Sequence, residues 1–241
     1  MKTKEILRKE VWSALQEKKA SRFPGAEGRI PNFIGAEKCA RILSDYPLWK
    51  DAKVIKANPD SPQRAIRQRA LEEGKIVYMA VPRLRSSKPF IELNPQRLKC
   101  SPYQASSIKG AAQYGRPVSL DEVRKIDLVV CGSVAVNREG ARVGKGGGYS
   151  DIEYALLREE KKIDESTPVV TSVHPLQILN GQIPMTEHDI PLDAIVTEER
   201  VIELNPSWPK PKGIYWKILP AEKIAAIPVL IARRKNKAIL L

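Results

Sequence analysis

The sequence predicts an α/β fold with a central, mainly parallel or mixed sheet flanked by helices. Three observations predict it. Apolar strand-like runs alternate with amphipathic helical stretches along the chain. Residues 52–57, 63–73 and 75–81 read as strand, helix and strand, the order of a parallel βαβ unit. An apolar run from Asp127 to Val136 leads through a glycine-rich turn into a further helix, a common context for a phosphate cradle. At 241 residues the chain is long enough to bury a core without disulfides or metal, and it reads as one domain over 1–241.

Taken in order, Thr3 to Lys19 is a helix: Thr3 stands at the N-cap, and Leu7, Val11, Ala14 and Leu15 form an apolar stripe. A Pro/Gly-containing connection spans Ser21 to Asn32, and Glu37 to Leu43 is a second helix. Ala52 to Ala57 is a short strand that stops at the turn Asn58-Pro59-Asp60-Ser61-Pro62. Gln63 to Glu73 is helical with Gly74 at its end, and Lys75 to Val81 is a buried strand. Arg83 to Leu120, polar and basic, predicts long loops with short pieces of structure, and Asp121 to Lys125 a helical turn. Asp127 to Val136 is a strong β run, and Asn137-Arg138-Glu139-Gly140 is turn chemistry. Ser150 to Lys162 is the next helix, with Ser150 and Glu153 spaced as a capping box. Strands are expected at Val169 to Val173 and Ala194 to Thr197, and a short helix at Glu222 to Ala226 before Pro228.

Composition narrows the function classes. The 41 Lys and Arg against 28 Asp and Glu give a net charge of +13, which favours polyanionic partners such as nucleotides, polyglutamylated substrates or RNA and equally serves solubility. Only 6% of residues are aromatic, which weighs against nucleic acid as the main partner. The three cysteines, Cys39, Cys100 and Cys131, are scattered and form no disulfide or zinc pattern, which suits a reducing cytoplasm. Met1-Lys2-Thr3-Lys4-Glu5 is charged and unlike a signal peptide. The longest apolar run, near Ile224 to Ala232, contains Pro228 and is too short to span a bilayer. The expectation is a soluble protein, a monomer or small homo-oligomer.

The chemistry concentrates in Arg142-Val143-Gly144-Lys145-Gly146-Gly147-Gly148-Tyr149-Ser150-Asp151. Glycines at a strand-to-helix turn bring bare N–H groups up to an anion. The spacing is neither Gly-x-x-x-x-Gly-Lys-Ser/Thr nor Gly-x-Gly-x-x-Gly. Asp151, read as the first helical residue, complements the helix dipole, yet it would repel a bound phosphate unless a divalent cation lay between them. Asp189, in His188-Asp189-Ile190-Pro191-Leu192-Asp193, offers a second carboxylate, while Asp193 reads as a surface or capping residue and His174 as a satisfied structural histidine. Lys4 and Arg8 lie four apart on one helix face, either a solvated basic face or an anion clamp.

These residues together resemble the 5-formyltetrahydrofolate cyclo-ligase (5,10-methenyltetrahydrofolate synthetase) family, whose hallmark is similar to Arg-Leu-Gly-Arg-Gly-Gly-Gly-Tyr-Tyr-Asp. Gln177, the His188-Asp189 pair, the segment from Asp193 to Glu198 and the N-terminal Lys4 and Arg8 fall where the family has their equivalents. Arg29-Ile30-Pro31-Asn32-Phe33, Asn58-Pro59-Asp60, Gly132-Ser133-Val134-Ala135-Val136 and Asp151-Ile152-Glu153-Tyr154-Ala155 resemble a divergent branch: archaeal homologues and the folate-synthetase-like domain of an animal protein that also carries an RNA-recognition module.

The resemblance implies a Rossmann-like layered fold and an ATP- and Mg2+-dependent conversion of 5-formyltetrahydrofolate to 5,10-methenyltetrahydrofolate. It implies that Lys4, Arg8, Arg142, Gly144, Lys145, Gly146, Gly147, Gly148, Tyr149 and Ser150 bind ATP, and that Lys145 to Tyr149, with Asp60, meet the folate. Lys145 and Tyr149 would serve the reaction, and Asp151 and Asp189 would hold Mg2+. Two departures stand out: Ser150 replaces the second Tyr of the hallmark, and Asp60 is the nearest match to the family's acidic folate contact. They leave two other expectations open, an ATP-dependent enzyme for another one-carbon pterin or amide, and a non-catalytic RNA-binding protein of the same fold.

Overall fold

The computed structural model describes the backbone of residues 2–239 and the side chains of residues 2–235; Met1 of the charged N-terminal stretch lies outside them. Helices α1 (Lys4–Glu17), α2 (Ala36–Ser44) and α3 (Pro47–Asp51) precede strand β1 (Val54–Ala57). Next come α4 (Arg64–Glu72), β2 (Ile76–Ala80), β3 (Phe90–Leu93), α5 (Pro102–Ala105), α6 (Ile108–Tyr114) and β4 (Arg116–Val118). The second half holds β5 (Leu128–Cys131), β6 (Ala135–Asn137), β7 (Arg142–Val143), α7 (Tyr149–Glu159), β8 (Val169–Ser172), β9 (Ile178–Leu179), β10 (Ala194–Val196), β11 (Val201–Glu203), α8 (Ala221–Ala226) and α9 (Pro228–Ile239).

The main sheet has eight strands in the order β11-β10-β8-β5-β1-β2-β3-β4. Strands β10, β8, β5, β1 and β2 are parallel, and antiparallel β11, β3 and β4 complete the edges. From β1 the chain moves outward to β2, then returns to β5 on the other side and steps away through β8 and β10. The strand order therefore reverses between β1 and β5, and a crevice opens beyond their carboxyl ends.

Alternation along each strand divides the core into two layers. Ile55, Ala57, Val77, Met79 and Val130 pack beneath α2 and α4. Val54, Tyr78, Val129 and Cys131 face the opposite way, toward Ile152, Leu156 and Leu157 of α7. A smaller sheet, ordered β7-β6-β9, forms a third packing unit with α1. Leu7, Val11 and Leu15 of α1 are buried on it, each contributing about 1.5–3 kcal/mol of hydrophobic stabilisation. Thr3 caps this helix as expected, its Oγ1 accepting from the Ile6 N–H.

The structure corrects several expectations. Residues 127–136 are two strands in two different sheets. Gly132 and Ser133 make the transfer: a Cβ on Gly132 would lie 3.0 Å from Ile30 and 3.1 Å from the Gln63 amide oxygen, and the Ser133 hydroxyl instead pairs with Thr171 at 2.8 Å. The polar 83–120 region does carry the short pieces of structure expected of it, two short helices and the antiparallel strands β3 and β4, with β3 paired to β2 and β4 to β3. In place of a helical turn over 121–125 the chain closes one hydrogen-bonded turn at 120–123, the Val123 N–H donating to the Leu120 carbonyl at 3.3 Å, while Glu122 accepts from the backbone and hydroxyl of Ser119 and pairs with Arg116. The capping box of Ser150 and Glu153 is absent. Gly148 occupies the N-cap with φ +66°, which places Ser150 and Asp151 second and third in α7, and Glu153 turns inward. Helix α9, beyond Pro228, was hidden because that proline, read as a stop, is instead its first residue.

Candidate active site

The glycine loop from Gly144 to Gly148 joins the small sheet to α7 and forms the wall between two cavities. The larger, about 490 Å³, lies at the strand reversal. Asn58, Pro59 and Asp60 after β1, Pro82 after β2 and Gly132 after β5 line it, with Tyr149 on the loop side. The smaller, about 240 Å³, lies across the loop against α7 and residues 213–223. Gly147, Gly148 and Asp151 line both. Gly146, with φ +99°, and Gly148 supply the positive-φ positions that let the chain turn here.

Cations converge on this loop. Arg8 donates from Nε to the Gly144 carbonyl at 2.7 Å and pairs with Glu5 at 2.9 Å, and a Cβ on Gly146 would stand 3.4 Å from its guanidinium carbon. Lys4 holds both oxygens of Asp189. Each of these two cations thus has its own acceptor, which offsets the repulsion expected at their spacing. Arg142, only 4% exposed, donates to the Gly132 carbonyl at 3.2 Å and to Asp151 at 2.6 Å. Its buried Nε has no hydrogen-bond partner. Burial works to lower the Arg142 pKa, but the carboxylates of Asp151 and Asp189 and the hydrogen bond to Asp151 work against it and the net shift is upward. Arg142 is therefore a permanent positive charge facing two carboxylates. Lys145 crosses the larger cavity to Asp60 at 2.8 Å.

Asp189 is buried, which by itself would raise its pKa; hydrogen bonds from Lys4 and Thr186 reverse the sign, so the carboxyl stays ionised. The described residues contain no group of three or more His, Cys, Asp or Glu able to hold a metal. Two carboxylates alone fall short of a protein cage, but Mg2+ usually takes one or two carboxylates together with substrate phosphates. Asp151 and Asp189 are the carboxylates such an ion would use, and each is paired with a cation, Arg142 and Lys4.

Other expected residues have structural duties. The His174 imidazole accepts the Leu176 N–H through Nδ1 at 3.2 Å, and burial lowers its pKa. Gln177 donates to the carbonyls of Ser133 and Val134, tying the strand transfer in place. Asp193 accepts the Val169 N–H at 2.7 Å and pairs with Lys210. Ser150 donates to Asn58 across the larger cavity at 3.4 Å.

Sequence reasoning missed a buried polar group behind this cavity. Lys56 on β1 and Glu153 on α7 form an ion pair at 2.6 Å with both side chains almost fully buried. Asn58 donates to Glu153 at 3.2 Å and accepts from Lys56 at 3.3 Å. Burial pushes the Glu153 carboxyl up, against the pull of Lys56. Arg67 on α4 is also enclosed; it donates to the carbonyls of Asn58, Pro59, Asp60 and Ser106. Burial lowers its pKa to about 9, so it remains charged at neutral pH. The signals were present: Lys56 interrupts an apolar strand, and Arg67 falls on the apolar face of α4 between Ile66 and Ala70.

A model of the 5-formyltetrahydrofolate cyclo-ligase family matches residues 1–198. The chain belongs to this family. It is 37% identical over 239 residues to a methenyltetrahydrofolate synthase domain-containing protein of Bos taurus, covering 98% of this chain and 63% of that protein. The protein of the same name from Mus musculus is 38% identical over 239 residues, covering 98% and 64%. The chain thus spans less than two thirds of the length of these relatives. Among solved structures, that of an Aquifex aeolicus 5,10-methenyltetrahydrofolate synthetase superposes with a TM-score of 0.53 at 23% identity, covering 85% of this chain and 94% of the other. That likeness supports the layered fold of the cyclo-ligase family. No helix among the described residues is long and apolar enough to cross a membrane.

Proposed function

We propose that this chain is an ATP- and Mg2+-dependent 5-formyltetrahydrofolate cyclo-ligase that forms 5,10-methenyltetrahydrofolate, ADP and phosphate. One observation carries the reading: a glycine loop that includes Lys145 stands between two cavities, Arg8 and Arg142 hold it at Gly144 and Asp151, and Lys4 holds Asp189. In this reading the folate occupies the larger cavity, whose volume lies in the range of small-molecule sites. The nucleotide's phosphates lie on Gly144, Gly146, Gly147 and Gly148, flanked by Ser150. The formyl oxygen attacks the γ-phosphorus and ADP leaves; the folate N10 then attacks the activated carbon, its proton departs, and phosphate is expelled.

The chain's part is positioning and charge compensation. Lys4, Arg8 and Arg142 balance phosphate charge. Lys145 leaves Asp60 to meet the transferred group, and the freed Asp60 faces the pterin. Tyr149 walls the reacting centre. Mg2+, held by Asp151 and Asp189, would neutralise the phosphates when bound. Arg29 and Arg83, both lining the larger cavity, suit an anionic folate tail. We place the activity in the cytoplasm, where Cys39, Cys100 and Cys131 stay reduced.

The test is spectrophotometric. Purified protein should turn 5-formyltetrahydrofolate into the methenyl absorber only when Mg-ATP is present; absence of conversion overturns the assignment. Ser150, hydrogen-bonded to Asn58 where the family hallmark has a second ring, favours a second reading in which another one-carbon pterin or amide is the substrate. Calorimetry separates the two: ATP binding without 5-formyltetrahydrofolate binding supports the second.

A further inference from the structure

The family model ends at residue 198, yet the smaller cavity owes much of its wall to residues 213–223. This segment is fastened to α7. Arg158 donates to the Pro211 carbonyl at 3.1 Å, the Ile214 N–H donates to Glu159 at 3.2 Å, and Arg233 pairs with Glu159 and Glu160. Gly213 lies so near the helix that a Cβ there would come within 2.9 Å of Glu159. From the same segment Lys223 reaches the loop itself, donating to the Gly147 carbonyl at 3.0 Å and standing 4.1 Å from the centre of the Tyr149 ring.

This cavity has two kinds of lining. The glycine loop, Asp151, His188 and Lys223 supply its polar lining, and Ile152, Ile214, Tyr215, Ile218 and Leu219 its apolar lining. A volume of about 240 Å³ is below the usual range for a whole small-molecule ligand and admits a single ring system. A nucleotide has the matching asymmetry: a flat, uncharged base at one end and an anionic chain at the other.

We propose that residues 213–223 form the base pocket of the nucleotide site, holding a purine against Tyr215 and Ile218 while its phosphates run onto the loop. The inference rests on the nucleotide reading above and extends it to a segment outside the family model. Lys223 then acts as a positioning residue: it fixes the Gly147 carbonyl so that the loop keeps one path between the two cavities.

Binding of ATP and of inorganic tripolyphosphate, each with Mg2+, to the full chain and to Ile218→Asp and Tyr215→Ala tests this. Ile218 is half exposed, so its replacement leaves the fold intact. Wild type should hold ATP more tightly than tripolyphosphate, and both variants should lose about ten-fold in ATP affinity with tripolyphosphate unchanged. The base pocket is overturned if ATP binds the variants as it binds wild type, if ATP binds no more tightly than tripolyphosphate, or if the variants lose 5-formyltetrahydrofolate instead of ATP. If neither ATP nor tripolyphosphate binds wild type, the nucleotide reading itself fails, and the pocket with it.

Discussion

Lys4, in the first turn of α1, grips both carboxylate oxygens of Asp189, 185 positions further along the chain, at 2.5 and 2.6 Å. The contact ties the helix on the small sheet to the loop that leads into β10. Because hydrogen bonds hold the Asp189 pKa below its ordinary value, the stabilisation is present in full above the unfolded carboxylate range, near pH 4, and is lost as pH falls through the lower folded value. Asp189→Asn should therefore lose about 1–3 kcal/mol at pH 7, with the difference from wild type shrinking below pH 4. Urea denaturation at pH 7 and at pH 3 measures this.

Lys145 and Asp60 predict a split between stability and activity. Lys145 is nearly half exposed, so the pair contributes at most about 1 kcal/mol to folding. Lys145→Met should leave the unfolding midpoint almost unchanged while lowering kcat by about 100-fold or more, the scale expected on losing one charge-stabilising donor. Equal kcat in the two proteins would remove Lys145 from the reaction.

Arg142 should be far less tolerant than Lys145. Arg142→Ala leaves Asp151 without its cation and removes a charge from the phosphate loop, so kcat/KM for ATP is expected to fall by about 100-fold or more. Arg142→Lys keeps the charge but not the forked reach from Asp151 to the Gly132 carbonyl, and should recover only part. Steady-state kinetics with ATP varied decide it.

The buried Lys56–Glu153 pair makes a double-mutant cycle informative. Removing one partner, as in Glu153→Leu or Lys56→Met, strands a charge in the core and should cost about 3–5 kcal/mol. The double variant Lys56→Met/Glu153→Leu should recover most of that loss. A double variant as unstable as the sum of the singles would show that the two side chains act independently.

Gly148 offers a backbone test. Its φ of +66° disfavours a Cβ on conformational grounds, although no neighbour lies within 4 Å of one. Gly148→Ala should cost about 1 kcal/mol, and Gly148→Asn clearly less, since Asn visits the left-handed region more readily. Thermal unfolding of the two variants side by side measures the difference.

The parts of the fold legible in the sequence were those with unbroken periodicity: α1 with its Thr3 cap, the unit β1-α4-β2, and the strands β8 and β10. The division of residues 127–136 between two sheets was hidden because both halves are apolar, and only the close approach around Gly132 separates them. Helix capping also misled: the pattern of Ser150 and Glu153 satisfied the local rule, while tertiary pairing with Lys56 drew Glu153 into the core. In the site, the glycine loop and its carboxylates were readable as a motif. Lys56 and Arg67 left a local signal, a charge on an apolar strand and on an apolar helix face, but their partners Glu153 and Ser106 come from distant elements, so spacing alone did not show what they hold. The C-terminal wall of the smaller cavity was invisible for the same reason.

Arg67 grips the carbonyls of Asn58, Pro59, Asp60 and Ser106 from within the core. These bonds are made to main chain alone, so they are indifferent to which side chains project from positions 58–60. Position 60 on the rim of the larger cavity can thus exchange its side chain over evolutionary time while the chain keeps its course, whereas Asn58, tied to Lys56, Glu153 and the Gly132 N–H, stays bound to the core.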